Sequence, residues 1–149
     1  VIRFVGTLDS ITITGAFAVS TSDRIEELAF ADGTLWNALQ IRNEVIAQAE
    51  TAGADSVGGF LFDDTLAGGF GDDTLIGRDG SDTYIYRRGD GVDLIHDQGN
   101  GDIDRVVVTG YGPNEARFSR LSPGSNDLVV SFGGGDRIVI VNALSGSAA

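Results

Sequence analysis

Aspartates recurring every nine residues, each preceded by glycines and followed two places later by a large apolar residue, are the chemistry-bearing feature of this chain. Two complete copies stand back to back, Gly68-Gly69-Phe70-Gly71-Asp72-Asp73-Thr74-Leu75-Ile76 and Gly77-Arg78-Asp79-Gly80-Ser81-Asp82-Thr83-Tyr84-Ile85. Both fit G-G-x-G-x-D-x-U-x, where U is large and apolar and Arg78 replaces one glycine. Glycines at the first, second and fourth positions let the backbone take left-handed or close-approach conformations that turn carbonyl oxygens inward. The aspartate at the sixth position adds a charged oxygen to the same hollow, and the product is an oxygen cage for a hard cation. The last three residues form a short strand whose middle side chain, Leu75 or Tyr84, points inside.

The same phase extends outward with decay. Upstream, residues 59–67 keep Asp64 and Leu66 but carry Phe62 where a glycine belongs, and residues 50–58 keep Gly53, Asp55 and Val57. Downstream, Asp93 and Asp104 restore the phase after short insertions. Six aspartates therefore share one structural position: Asp55, Asp64, Asp73, Asp82, Asp93 and Asp104. With two repeats per turn of a coil, loops two repeats apart stack, which predicts ligand pairs Asp55 with Asp73, Asp64 with Asp82, Asp73 with Asp93, and Asp82 with Asp104. A flexible Gly/Asp linker would explain the composition, but it gives no reason for an apolar residue two places after each aspartate.

Other chemistries fit less well. The single histidine, His96, falls at an outward strand position beside Asp97 and reads as a solvated residue rather than a general base. Adjacent acidic pairs, Asp63/Asp64 and Asp72/Asp73, suggest a glycosidase, but neighbours on a strand face opposite ways and the pairs recur at the repeat spacing, so each reads as one ligand plus one solvated neighbour. The glycine runs lack the lysine and hydroxyl of a phosphate loop, and no glutamate closes an EF-hand loop after Asp79 or Asp97. A catalytic role is not expected. The net charge of −12 excludes a nucleic-acid backbone as the obvious partner, and the acidity points to cations. There is no cysteine, hence no disulfide framework and no zinc–thiolate site. No apolar run is long enough to span a bilayer. The chain has no methionine, even at position 1, which reads as a piece of a longer polypeptide.

The elements that must hold the loops form an all-β chain in three segments: a flanking and capping segment (residues 1–49), a short parallel β-roll (residues 50–108) and a β-meander (residues 109–149). Val57, Leu66, Leu75, Tyr84, Ile95 and Val106 are its expected inward residues. Leu28 and Phe30 alternate as a strand before an Asp32-Gly33 turn, and Trp36 reads as a core anchor. A helix near residues 37–50, with Leu35, Leu39, Val45, Ile46 and Ala49 roughly on one face, is expected to cap the open end of the roll. Strands at 116–121, 127–132 and 137–141 form the meander. Residues 1–17 also align with 129–144, matching Phe4/Phe132, Gly6/Gly134, Asp9/Asp136, Ile11/Ile138, Ile13/Ile140 and Ala16/Ala143. Each copy reads as a hairpin, although any two alternating hairpins share such features. A parent built from units of roughly 127 residues follows from this match, and so does head-to-tail self-association through the displaced hairpins.

Residues 68–85 resemble the haemolysin-type calcium-binding repeat of RTX proteins. Gly89-Asp90-Gly91-Val92-Asp93-Leu94-Ile95, Asn126-Asp127-Leu128-Val129-Val130 and Asp136-Arg137-Ile138-Val139-Ile140 resemble the related domain that often follows such repeats, and Leu28-Ala29-Phe30-Ala31-Asp32-Gly33-Thr34-Leu35-Trp36 looks like that domain's closing motif. The resemblance implies about two to four calcium ions, with carbonyl donors at Gly68, Phe70, Gly77 and Asp79 beside the sixth-position carboxylates. It also implies a module of a larger secreted bacterial toxin, enzyme or adhesin, exported in one step, disordered without calcium and folding on calcium outside the cell beside neighbouring units of the parent chain. The alternative is a calcium-stabilised carbohydrate-binding or adhesion module, with Tyr84, Tyr86, Arg87 and Arg88 forming an aromatic and basic strip for an acidic polysaccharide.

Overall fold

Short strands form wherever a sixth-position aspartate is followed by a hydroxyl or small residue and an apolar one, and the chain passes between them through glycine-rich loops. The computed structural model describes residues 2–3, 10–11, 26–99 and 103–145, and the chain divides into two units, residues 1–41 and 42–149.

In the first unit, β1 (Ile2–Arg3) pairs antiparallel with β2 (Ser10–Ile11), Ile2 opposite Ile11. The rest of the first expected hairpin lies outside the described residues. β3 (Glu27–Ala29) and β4 (Leu35–Asn37) form a second hairpin. Its turn follows the Asp32-Gly33 signal: Gly33 has φ +91°, and the Thr34 amide donates to Asp32 Oδ1 at 2.9 Å. The Phe30 and Trp36 rings meet edge-on at 4.9 Å. Trp36 is half-buried, because a two-stranded ribbon has one face to bury it against and leaves the other in water.

Helix α1 (Ala38–Ala47) starts at a reciprocal capping box. Gln40 N donates to Asn37 Oδ1 and Asn37 N donates to Gln40 Oε1, both at 2.9 Å. Within the second unit Ile46 is part of the apolar core and Ala49 packs against it, while Val45, and Leu39 in the first unit, are exposed.

In the second unit, β5 (Ser56–Gly58), β7 (Thr74–Ile76) and β9 (Val92–His96) pair in parallel in one sheet. The alternate strands β6 (Thr65–Ala67), β8 (Thr83–Arg87) and β10 (Arg105–Thr109) do so in a second. The chain thus winds from one sheet to the other and back. The period-2 pattern sends Val57, Leu66, Leu75, Tyr84 and Ile95 between the sheets, each no more than 2% exposed, and Val106 packs beside them half-buried. Arg78, where the repeat loses a glycine, keeps the left-handed conformation at φ +82°.

β11 (Arg117–Arg120), β12 (Leu128–Ser131) and β13 (Arg137–Ile140) make the antiparallel meander. β13 then pairs in parallel with β9, Arg137 opposite Val92 and Ile140 opposite Ile95, so the first sheet grows to six strands in the order β11-β12-β13-β9-β7-β5. Val130 and Ile138 join the same apolar cluster as Leu75 and Ile95. The meander is therefore a continuation of the winding core.

Candidate metal centre

Each loop that closes on a sixth-position aspartate stacks on the loop two repeats away, and the aspartate forms the joint. The Asp55 amide donates to Asp73 Oδ1 at 2.8 Å, and the Asp64 amide to Asp82 Oδ1 at 2.9 Å. The Asp73 amide donates to Asp93 Oδ1 at 3.2 Å, and the Asp82 amide to Asp104 Oδ1 at 2.9 Å. Two ladders result: Asp55, Asp73 and Asp93 along one edge, and Asp64, Asp82 and Asp104 along the other. The parallel registers impose this, since Ser56 stands beside Thr74, Thr74 beside Leu94, and Thr65 beside Thr83.

In Asp73, Asp82 and Asp93 only one carboxylate oxygen is used this way. Asp64, Asp73, Asp82 and Asp93 are at most 4% exposed, yet Asp64 Oδ1 and the Oδ2 atoms of Asp73, Asp82 and Asp93 have no hydrogen-bond partner among the described residues. A buried carboxylate oxygen without a donor is costly. Burial accordingly pushes all four carboxyls up from the ordinary range, with backbone amide donors partly opposing it and neighbouring carboxylates reinforcing it. Asp82 rises to about 6 and Asp93 to about 7.

The first glycine of each loop faces the same hollow. A Cβ on Gly68 would collide with the Asp73 carboxylate, one on Gly77 with the Asp82 carboxylate, and one on Gly59 would come within 2.8 Å of Asp64 Oδ2. The loop openings and their closing carboxylates thus enclose common space, as a cage of carbonyl and carboxylate oxygens requires. Phe70 and Asp79 carry outward, exposed side chains. Phe62 also turns outward, with the Arg42 guanidinium over its ring at 4.2 Å, and Asp64 keeps its buried position, accepting from Phe60 N at 2.5 Å. Asp55, at the start of its ladder, is engaged on both oxygens by Thr51, from the amide at 2.6 Å and the hydroxyl at 3.0 Å.

Two features escaped the sequence reading. The fifth-position aspartates are exposed but tie the turns from outside: Asp63 Oδ1 accepts from Ser81 N and Asp72 Oδ1 from Val92 N, each at 2.9 Å. Their recurrence at the repeat spacing was the available signal. The second is Asp97, whose carboxylate lies with those of Asp82 and Asp104 so that one oxygen from each falls within 4.8 Å of the others.

The aromatic and basic strip has no exposed ring faces where the sequence suggested them. Tyr84 and Tyr86 are 1% and 2% exposed; their hydroxyls donate to Asp97 Oδ2 at 2.9 Å and to the Gly91 carbonyl at 2.6 Å. Alternation places both rings inward, because they lie two residues apart on one strand. Arg87 lies 4.0 Å from Glu50, and Arg88 pairs with Glu115 at 2.9 Å while covering the Tyr111 ring at 3.9 Å. Asp136 holds the meander to the winding, accepting from the Gly89 amide at 2.5 Å and from the Tyr111 hydroxyl.

Among the described residues, no helix is long and apolar enough to cross a membrane. No curated protein matches the chain. Residues 1–40 match the family described as haemolysin-type calcium binding protein related domain, a span that includes the Leu28–Trp36 motif and agrees with the resemblance to RTX proteins.

Proposed function

We propose that the chain is a calcium-binding RTX module, that its two-sheet winding is a short β-roll, and that calcium drives its folding within a larger secreted bacterial protein. The observation that carries this reading is the set of four buried aspartates with one oxygen unpartnered among the described residues; in Asp73, Asp82 and Asp93 the other oxygen accepts from the stacked turn's amide, and in Asp64 from Phe60 N of its own loop. The donor set suits a hard divalent cation: carboxylate and carbonyl oxygens, with no thiol in the chain. Asp73 and Asp93 with the Gly68 loop would hold a cation on one edge, and Asp82 with the Gly77 loop on the other. A bound cation neutralises charges that the fold otherwise buries against one another, so metal affinity becomes folding free energy. Sites of this class in extracellular modules have dissociation constants of about 10⁻⁴ to 10⁻³ M. They would be empty in a cytosol and filled outside.

Far-UV circular dichroism with a calcium titration at pH 7.5 tests the reading. The expected result is a cooperative gain of β structure on adding calcium, with magnesium a poor substitute because it demands a smaller octahedral shell. Full β structure in excess chelator, unchanged by calcium, refutes it.

A further inference from the structure

We infer that Asp97 supplies a third side-chain ligand to the cation site at Asp82 and Asp104, making it a three-carboxylate site unlike the others on the winding. The inference rests on reading the loops as calcium sites and concerns a residue outside the repeat's ligand positions.

Asp97 opens the loop that ends at Asp104, as Gly77 opens the loop that ends at Asp82 and Gly68 the one that ends at Asp73. In those two loops any side chain at the opening position would strike the closing carboxylate. The final loop is longer: Asp104 follows Asp97 by seven residues, whereas Asp82 follows Gly77 by five. At the position where the shorter loops admit only hydrogen, this loop carries a side chain, and it is a carboxylate.

The orientation of that carboxylate is fixed. Asp97 Oδ1 accepts from the Gly99 amide at 3.0 Å and Oδ2 from the Tyr84 hydroxyl at 2.9 Å. Tyr84 is itself locked between the sheets at 1% exposure, so the hydroxyl that positions Asp97 cannot swing away. Each oxygen keeps a second lone pair for a cation. Facing it is Asp82, 1% exposed, whose Oδ2 has no hydrogen-bond partner among the described residues. One oxygen from each of Asp82, Asp97 and Asp104 lies within 4.8 Å of the other two, a spacing at which a single ion touches all three. Asp97 and Asp104 also border a cavity of about 450 Å³ between β10 and the end of β13, which gives an ion a path from solvent.

Three negative ligands in place of two predict the tightest site of the set, since ligand charge is a main determinant of calcium affinity. Terbium, a calcium stand-in excited through tyrosine, reads this site through Tyr84, and the emission lost in Tyr84→Phe identifies its share. Asp97→Asn is expected to raise the half-saturating terbium concentration for that share about tenfold or more, whereas Asp97→Glu, which keeps the charge, stays within about threefold of wild type. Far-UV circular dichroism in saturating calcium monitors the fold of each variant. An Asp97→Asn titration that superimposes on wild type, with calcium-induced folding intact, overturns the third ligand and leaves the calcium module standing. Absence of saturable calcium binding in the wild type overturns both.

Discussion

Acid should stabilise the metal-free fold. Burial raises Asp93 to about 7 and Asp82 to about 6, against an ordinary 3.8 when the chain is unfolded. Between these values the folded state holds protons that the unfolded state has lost, so the stabilisation is complete below about pH 4 and disappears as pH rises through 6 and 7. In moving from pH 7.5 to pH 5, Asp93 contributes roughly 2 to 3 kcal/mol to the metal-free fold and Asp82 about 1 kcal/mol, together on the order of 3 to 4 kcal/mol. Asp64, Asp73 and Asp90, also raised by burial, act in the same direction. Asp32, Glu115 and Asp127 are held below their ordinary range by hydrogen bonds and titrate below this window. Such an energy turns a minor population into the major one. Metal-free protein followed by far-UV circular dichroism should therefore gain β structure between pH 7.5 and pH 5, which stays above the isoelectric point of about 4.2. The double variant Asp82→Asn/Asp93→Asn, which mimics the protonated pair, should show most of that gain already at pH 7.5. Metal-free protein that is no more structured at pH 5, or a double variant as unfolded as wild type at pH 7.5, would refute the reasoning.

Two further outcomes separate the parts of a loop. Asp73→Asn should weaken calcium binding about tenfold or more, and Asp72→Asn about two- to threefold, in calorimetric titrations; asparagine preserves an acceptor for the amides of Asp55 and Val92, so the contrast isolates the buried, unpartnered oxygen of Asp73. Equal losses would mean that the aspartates act only as a diffuse acidic field. Gly71→Ala should cost about 2 kcal/mol or more in urea unfolding with saturating calcium, because Gly71 has φ +133° and a Cβ there would lie 2.6 Å from the Gly53 carbonyl. Gly133→Ala, which meets nothing within 4 Å, should be nearly neutral in the same assay.

The periodic part of this protein was legible in its sequence because the repeat is local. Nine residues make one loop and one strand, and the alternation about each apolar centre fixes which side chains face inward. Val57, Leu66, Leu75, Tyr84 and Ile95 could therefore be named as inward from their spacing alone, as could the stacking of aspartates two repeats apart. The helix start at Asn37 was equally local, set by a capping pair within one turn. What the tertiary structure decided lies where the period breaks. Nothing near Arg137 announces that β13 will run parallel to Val92–His96, because a parallel partner is chosen by the exposed edge it completes and by the apolar cluster it covers. The exposed Asp72 looks like a solvated neighbour until Val92 N is brought beside it from the next turn. Asp97 reads as one more charge after a strand; only the fold, which brings Asp82 and Asp104 beside it and aims the hydroxyl of a tyrosine buried between the sheets at it, gives its carboxylate a direction. Sequence fixes a side chain's position when the constraint lies within a turn of the chain, and the fold fixes it when the constraint comes from a turn above or below.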